Sequence, residues 1–217
     1  MCFSATASFM TSAATSAAGV AALSRMRRPG ELPLAAIPLV FGAQQAVEGL
    51  LWLSLGGTAI PIPDLVLADA FAVLALVVWP VLSPLAIGLV EPERGRRFAL
   101  AILCALGVGV AVYGLGGIAT APYKACIAGR SLVYANGHAY ANVALAAYVA
   151  STCLPPLLSS NRSLWVFGVL VAAGLVVSTF LFFAALFSVW CFFAATGSIA
   201  IYAFFAVRRG AALERKV

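Results

Sequence analysis

Residues 164–207 read LWVFGVLVAAGLVVSTFLFFAALFSVWCFFAATGSIAIYAFFAV, and no charged side chain interrupts them. A helix needs about 20 apolar residues to cross a hydrocarbon core of about 30 Å. The stretch is therefore long enough for two successive crossings, which we divide near Phe187, because Ser188 and Trp190 suit a membrane interface. It predicts that the chain is an α-helical membrane protein.

The rest of the 217-residue chain has the same character, since 64% of its residues are hydrophobic and 9% are charged. A soluble domain carries about 25% charged residues. We expect an all-α membrane protein consisting of one transmembrane helical domain over residues 1–217, a bundle of seven transmembrane helices. The expected helices cover residues 3–25, 33–55, 65–90, 98–117, 138–154, 163–186 and 188–207. Residues 118–137 are expected to form an external loop or a short surface helix, because their Pro, Lys, Arg and Asn-Gly positions suit hydrocarbon poorly.

The basic residues indicate the orientation. With the N-terminus outside, cytoplasmic segments hold eleven of the 13 Lys and Arg residues, and only Lys124 and Arg130 lie outside. The positive-inside rule therefore predicts a cytoplasmic C-terminus in a multi-pass protein of the inner (plasma) membrane. The lipid bilayer is its expected partner. We expect no nucleic-acid partner, because the basic clusters lie at helix ends and are not interleaved with aromatic residues.

Two segments carry a resemblance to a known family. Residues 1–9 read MCFSATASF, and residues 27–52 read RRPGELPLAAIPLVFGAQQAVEGLLW. These segments resemble an uncharacterised family of bacterial integral membrane proteins that begin Met-Cys-Phe-Ser-Ala-Thr-Ala-Ser. The resemblance is specific within residues 1–55 and implies a multi-helix membrane fold. It also implies that five side chains belong together, namely Cys2, Gln44, Gln45, Glu48 and Trp52. The resemblance implies no activity.

Glu48 is the carboxylate that lies well inside a predicted helix, about 10 Å from the outer end of that helix. A charge placed centrally in a membrane helix costs about 2.5–3.5 kcal/mol, so other groups must offset it. Gln44, Glu48 and Trp52 share one stripe of the helix, and Gln45 lies beside it.

Other polar residues are expected at the same depth in the membrane. They include Asp69 in the third predicted helix, His138 at the start of the fifth helix, and the Ser and Thr hydroxyls of the first helix. Lipid-facing polar groups would go unsatisfied. We therefore expect a polar pocket that faces outward, with Glu48 at its floor. Its expected ligand-binding residues are Glu48, Gln44, Gln45, Trp52, Asp69 and His138.

Several functions fit such a pocket. The preferred one is the binding of a small molecule or ion by a sensor or transporter-like protein. One alternative is a membrane-embedded hydrolase of a lipid-like substrate, in which Glu48 or Asp69 acts either as a general base or as a metal ligand. If it uses a metal, the candidate ligands are Cys2, Glu48, Asp69 and His138. Another is a structural subunit of a membrane complex. Glu48 could also be a protonated acid that fastens the first two helices through hydroxyls of the first. The sequence identifies neither a cofactor nor a reaction.

The five cysteines divide between two environments. Cys104 and Cys153 lie inside predicted helices, where a thiol acts as a small apolar filler. Cys2, Cys126 and Cys191 map to the outer side, so we expect Cys126 to pair with Cys191 or Cys2 if that side is oxidising.

Overall fold

The computed structural model describes residues 4–136 and 142–214, with side chains up to Val207. Eight α-helices occupy most of this part of the chain. They are α1 (Ala5–Leu23), α2 (Leu32–Leu55), α3 (Asp64–Val73), α4 (Trp79–Val90), α5 (Arg94–Thr120), α6 (Asn142–Leu157), α7 (Arg162–Leu181) and α8 (Leu186–Glu214). A π-helical turn at Leu74–Val78 joins α3 to α4, so they form one continuous segment. Short 3-10 turns at Pro29–Glu31 and Phe183–Ala185 precede α2 and α8.

Within residues 4–136 and 142–214, five helical segments are long and apolar enough to cross a membrane. They are Pro29–Leu55, Asp64–Val90, Arg94–Thr120, Arg162–Leu181 and Phe183–Val207. Helix α6 is apolar but spans only 16 residues. The expectation of a helical membrane protein is therefore supported, whereas the count of seven crossings and the orientation stay predictions.

The observed helix bounds agree best with the predicted ones at the beginning of the chain. Helices α1 and α2 and the α3–α4 segment each begin and end within two residues of the prediction. The break between the last two helices is different, because it lies at Phe182 (φ −139°, ψ 38°) and not near Phe187. Helix α6 also continues to Leu157 through Pro155 and Pro156, which were expected to end it.

The segment after α5 forms a β-hairpin and not a surface helix. Strands β1 (Lys124–Ala128) and β2 (Ser131–Ala135) pair antiparallel around a two-residue turn. Gly129 opens that turn with a φ of +61°, which suits tight hairpin turns and is strained for other residues. Leu132 is fully buried against Leu51 of α2 and Leu67 of α3. The hairpin therefore covers the end of the bundle where α2 ends and α3 begins.

Close helix packing positions the buried polar groups. Ser12 of α1 donates its hydroxyl to the Gly42 carbonyl of α2 over 2.7 Å, so these helices lie directly against each other. Helix α5 approaches α4 just as closely, since a Cβ atom at Gly107 would overlap the Pro80 carbonyl oxygen. Small residues of this kind let membrane helices approach each other.

Candidate functional site

A group of buried polar side chains joins three helices in the interior. We call it the Glu48 centre; it consists of Gln44, Gln45 and Glu48 of α2, Trp79 of α4, and Ser188 and Cys191 of α8. The three α2 side chains have no exposed surface. They lie inward because positions 44, 45 and 48 share the helix face that packs on the core.

The Glu48 carboxylate has a hydrogen-bond donor at each oxygen. The Ser188 hydroxyl donates to Oε1, and the Gln45 amide donates to Oε2 over 3.0 Å. Within the residues that the structure describes, the only ion pair joins Arg96 to Glu93, so no basic side chain neutralises Glu48. An unneutralised buried carboxylate costs several kcal/mol. An ionised Glu48 would therefore need a bound cation to balance it, whereas a protonated Glu48 would carry no charge.

Gln44 ties the three helices of the centre together. Its Nε2 donates to the Cys191 sulfur over 3.2 Å, and its Oε1 accepts from the Trp79 indole over 2.6 Å. The Trp79 ring stacks on Phe41, with 3.8 Å between ring centroids. Both ends of the Gln44 amide are thus satisfied, and its orientation is fixed.

Two oxygen atoms of α1 and α2 have no hydrogen-bond partner in residues 4–136 and 142–214. They are Gln45 Oε1 and Ser8 Oγ, and both side chains are fully buried. Ser8 lies on the part of α1 that packs on α2, since its neighbour Phe9 lies against Gly49 and Ser12, one turn along, bonds to Gly42. Buried polar atoms of native proteins normally have partners. These two oxygen atoms are therefore acceptors that no described donor uses.

The other expected members of the pocket lie elsewhere. Trp52 is half-buried among the leucines of α2 and α3, and its indole nitrogen has no partner among the described side chains. Asp69 accepts the Tyr123 backbone N–H over 2.8 Å, so it anchors the start of the hairpin. No described hydrogen bond or ion pair joins either residue to Glu48. Cys2 and His138 lie outside the described residues.

The environment of Glu48 also differs from the expected one. Its hydroxyl partner is Ser188 of α8 and not a hydroxyl of α1. Its carboxylate is fully buried and does not lie at the floor of an open pocket. At the end of α2 toward which the pocket was expected to open, Leu132 of the hairpin packs against Leu51.

Three members of the centre were not predicted from the sequence, namely Trp79, Ser188 and Cys191. Ser188 and Cys191 are three residues apart and therefore share one face of α8. That spacing could have indicated a buried polar pair on α8, but Ser188 was expected at a membrane interface. The expected Cys126–Cys191 disulfide is wrong, because both thiols are free and Cys191 is 4% exposed.

A metal site is not assembled within the part of the chain that the structure describes. No three His, Cys, Asp or Glu side chains lie close enough there to hold one ion. Of the candidate metal ligands, Glu48 and Asp69 are therefore not brought together with a third such group. The metal-dependent hydrolase stays an untested alternative, since Cys2 and His138 are not among those residues.

A second buried carboxylate, Glu91, lies just after α4. It accepts hydrogen bonds from the Ser160 hydroxyl (2.5 Å) and backbone N–H (2.9 Å), from the Ser159 hydroxyl (3.4 Å), and from the Glu93 backbone N–H (3.3 Å). Burial raises the pKa of Glu91, but these hydrogen bonds and the charge of Arg96 outweigh burial and hold the pKa below its usual range. Glu91 therefore fastens the α4–α5 connection to the α6–α7 connection and is structural.

Comparisons with known proteins identify the family but add no activity. No curated protein and no solved structure matches the chain. One family model, described as a family of unknown function (DUF6629), matches residues 1–216. That match covers almost the whole chain and includes every member of the Glu48 centre. The expected membership of an uncharacterised family is therefore confirmed, and the chain belongs to DUF6629.

Proposed function

We propose that this chain is a multi-pass protein of the plasma membrane in which the Glu48 centre binds a small cation, as a sensor or transporter-like protein. The observation that carries the proposal is a fully buried carboxylate with no cationic partner among the described residues. Ionisable residues inside membrane segments are expensive and usually serve a function. The site is enclosed, so we assign it to an occluded state of the bundle.

The unpartnered oxygen atoms support a positively charged ligand over a neutral one. Gln45 Oε1 and Ser8 Oγ, which lie on the packed helices α2 and α1, offer lone pairs that no described donor uses. A bound cation would satisfy these acceptors and neutralise the carboxylate. A neutral molecule would leave the charge uncompensated.

A proton and a metal cation share this chemistry. Rotating the Gln45 amide by half a turn exchanges its oxygen and nitrogen, so a protonated Glu48 would then donate to Gln45 Oε1 over the same 3.0 Å. A sodium-sized ion would instead collect oxygen atoms from Glu48 and Gln45, which lie within hydrogen-bond distance of each other, and oxygen is the ligand that hard cations prefer. The test must therefore include both occupants.

The test compares the thermal stability of the purified protein in sodium, potassium and choline chloride at equal ionic strength, and repeats the series at several pH values. A ligand at 100 times its dissociation constant stabilises a protein by about 2.7 kcal/mol. We expect stabilisation of this order from one alkali cation or from protons. Glu48→Gln should abolish the response, because it removes the charge and keeps the side-chain volume.

The matched control is Glu31→Gln. Glu31 is also buried (4% exposed), but it lies before α2 and accepts the Arg27 backbone N–H over 2.8 Å. This variant should keep the cation or proton response of the wild type. If wild type and Glu48→Gln respond equally to every cation and pH, Glu48 is a structural acid and the proposal is wrong.

The orientation belongs to the same proposal, with the N-terminus outside and the C-terminus in the cytoplasm. It is supported by the asymmetric distribution of basic residues. A reporter enzyme that is active only outside the membrane should work when it is inserted at Gly129, in the hairpin turn, and one that is active only in the cytoplasm should not. A reporter at the C-terminus should be active only as a cytoplasmic one, and external activity there would require an even number of crossings.

The structural-subunit function is a second candidate, and the surface of α5 favours it. The face that carries Ala105, Gly109 and Gly116 is exposed, and nothing lies within 4 Å of a Cβ atom at either glycine. Exposed small residues allow a second membrane helix to pack closely. Cross-linking from Cys replacements at Gly109 would detect such a partner, and its absence in native membranes would argue against this function.

A further inference from the structure

We propose that the bundle binds a phosphate group in a polar cavity at its basic end, with Arg28 as the principal binding residue. The phosphate belongs either to a small soluble ester or to an anionic lipid headgroup. We call this site the basic-end cavity; it lies where the α1–α2, α4–α5 and α6–α7 connections meet. The proposal does not depend on the Glu48 centre, because Glu48 lies about 24 Å along α2 from its first residue, Leu32.

The basic-end cavity has a volume of about 430 Å³. Ligand pockets commonly measure about 300–1,000 Å³. Its inner wall is apolar and includes Leu164 and Phe204, which are 0% and 5% exposed. Its rim is polar and includes Arg28 and Ser160, which are both exposed. The cavity is therefore large enough for a phosphate ester, and it offers a polar rim to the phosphate and an apolar wall to the carbon part.

The acidic group that lines the cavity is already satisfied by the protein. Glu91 is 3% exposed, and its two carboxylate oxygens accept four hydrogen bonds. These come from the Ser159 hydroxyl, from the hydroxyl and backbone N–H of Ser160, and from the Glu93 backbone N–H. Glu91 therefore presents little negative surface to the cavity, and the two serine hydroxyls have no proton left for a ligand.

The side-chain donors that remain unused in the cavity belong to Arg28 and Asn161. Within residues 4–136 and 142–207, the Arg28 guanidinium makes no hydrogen bond or ion pair. Asn161 Oδ1 accepts the Ser163 backbone N–H over 3.0 Å, which leaves Asn161 Nδ2 as a donor without a partner in the same part of the chain. A guanidinium binds two phosphate oxygens at once through parallel hydrogen bonds. Unused donors suit an anion, and a planar guanidinium suits a phosphate.

The surroundings of the cavity attract anions. Among the side chains that the structure describes, the helix ends on this side hold seven arginines and three glutamates, a net charge of +4. They are Arg25, Arg27, Arg28, Arg94, Arg96, Arg97 and Arg162, and Glu31, Glu91 and Glu93. A surface of one sign concentrates ligands of the opposite sign. Under the predicted orientation this end faces the cytoplasm, where the membrane surface carries anionic lipids.

The test measures the thermal stability of the purified protein in a neutral detergent while one compound is titrated. The compounds are sodium phosphate, glycerol 3-phosphate and phosphatidylglycerol. The references are sodium chloride and monoolein, a lipid without phosphate, and the sodium concentration is held constant. We expect saturable stabilisation by at least one phosphate compound beyond its reference. A response to the soluble compounds identifies an ester, and a response to phosphatidylglycerol alone identifies a lipid headgroup.

Arg28→Gln should weaken the affinity for the responding compound at least about tenfold, which corresponds to about 1.4 kcal/mol. Phosphate also stabilises proteins by exclusion from their surface, but that effect would be equal in the variant. The matched control is Arg94→Gln, which removes the same charge from the same end of the bundle but does not line the cavity. It should keep the wild-type affinity. If both variants lose affinity equally, the anion is attracted to the charged surface and not held in the cavity, and the proposal is wrong.

Direct binding to the wild type keeps the proposal testable if Arg28→Gln fails to fold. Equilibrium dialysis with radiolabelled phosphate or glycerol 3-phosphate covers the soluble compounds, and native mass spectrometry with phosphatidylglycerol and monoolein in equal amounts covers the lipid. One bound phosphate compound per protein is expected. The absence of saturable binding of every phosphate compound would overturn the proposal. None of these results bears on the cation response of Glu48, because the sodium concentration stays constant throughout.

Discussion

Gly107 provides the sharpest test of the packing that holds the Glu48 centre in place. A Cβ atom there would overlap the Pro80 carbonyl oxygen, which is backbone and cannot rotate away. Gly107→Ala must therefore push α5 away from α4, and overpacking of this kind costs about 1–3 kcal/mol. The helical preference of Ala over Gly returns about 0.5–1 kcal/mol, so we expect a net loss of up to about 2.5 kcal/mol.

Gly109→Ala is the matched control, two residues along the same helix. Its Cβ would meet nothing within 4 Å, so only the helical preference applies and stability should stay equal or rise by up to about 1 kcal/mol. Both variants would be compared with the wild type by reversible unfolding in mixed micelles. If Gly107→Ala is as stable as Gly109→Ala, the close approach of α4 and α5 is not as the structure has it.

Three further predictions concern the polar contacts. Gln44→Leu and Trp79→Phe should be less destabilising together than the sum of the single changes, with a coupling of about 0.6–1.7 kcal/mol in unfolding experiments; additive effects would mean that their hydrogen bond contributes nothing. Glu91→Gln should destabilise the protein at neutral pH. The pKa of Glu91 is lower in the folded protein than its ordinary value of about 4.3, so its ionised form stabilises the fold at every pH above that value. That difference should shrink as the pH falls through the lowered value, and a gap that persists in acid would contradict it. Cys126 should react with a membrane-impermeant thiol reagent on intact cells, whereas Cys191 should react only after denaturation; early labelling of Cys191 would mean that the bundle is open.

The helices could be predicted from the sequence because each apolar run is bounded by a strong local signal. Arg27, Arg28 and Pro29 end the first run, and Gly56 and Gly57 end the second. The last break has no such signal, since Phe182 is one aromatic residue among many. The hairpin was missed for another reason: its strands are only five residues each, and their pairing depends on the turn at Gly129.

Only half of the site could be predicted. The α2 members followed from helical periodicity, because Gln44 and Glu48 are four residues apart on one face. The partners Trp79 and Ser188 could not be predicted, because the spacing of residues within α2 does not show that α4 and α8 pack against it.

The central claim is that Glu48 exchanges a cation, and infrared difference spectroscopy tests it most directly. Spectra of the wild type in lipid vesicles would be recorded across a pH series, with and without sodium or potassium, and the spectra of Glu48→Gln would be subtracted to isolate this one carboxyl group. We predict a protonated-carboxyl band that disappears as the pH rises, or that an alkali cation removes at constant pH. A Glu48 band that stays unchanged across the pH series and with every cation would contradict the claim and leave Glu48 as a structural acid.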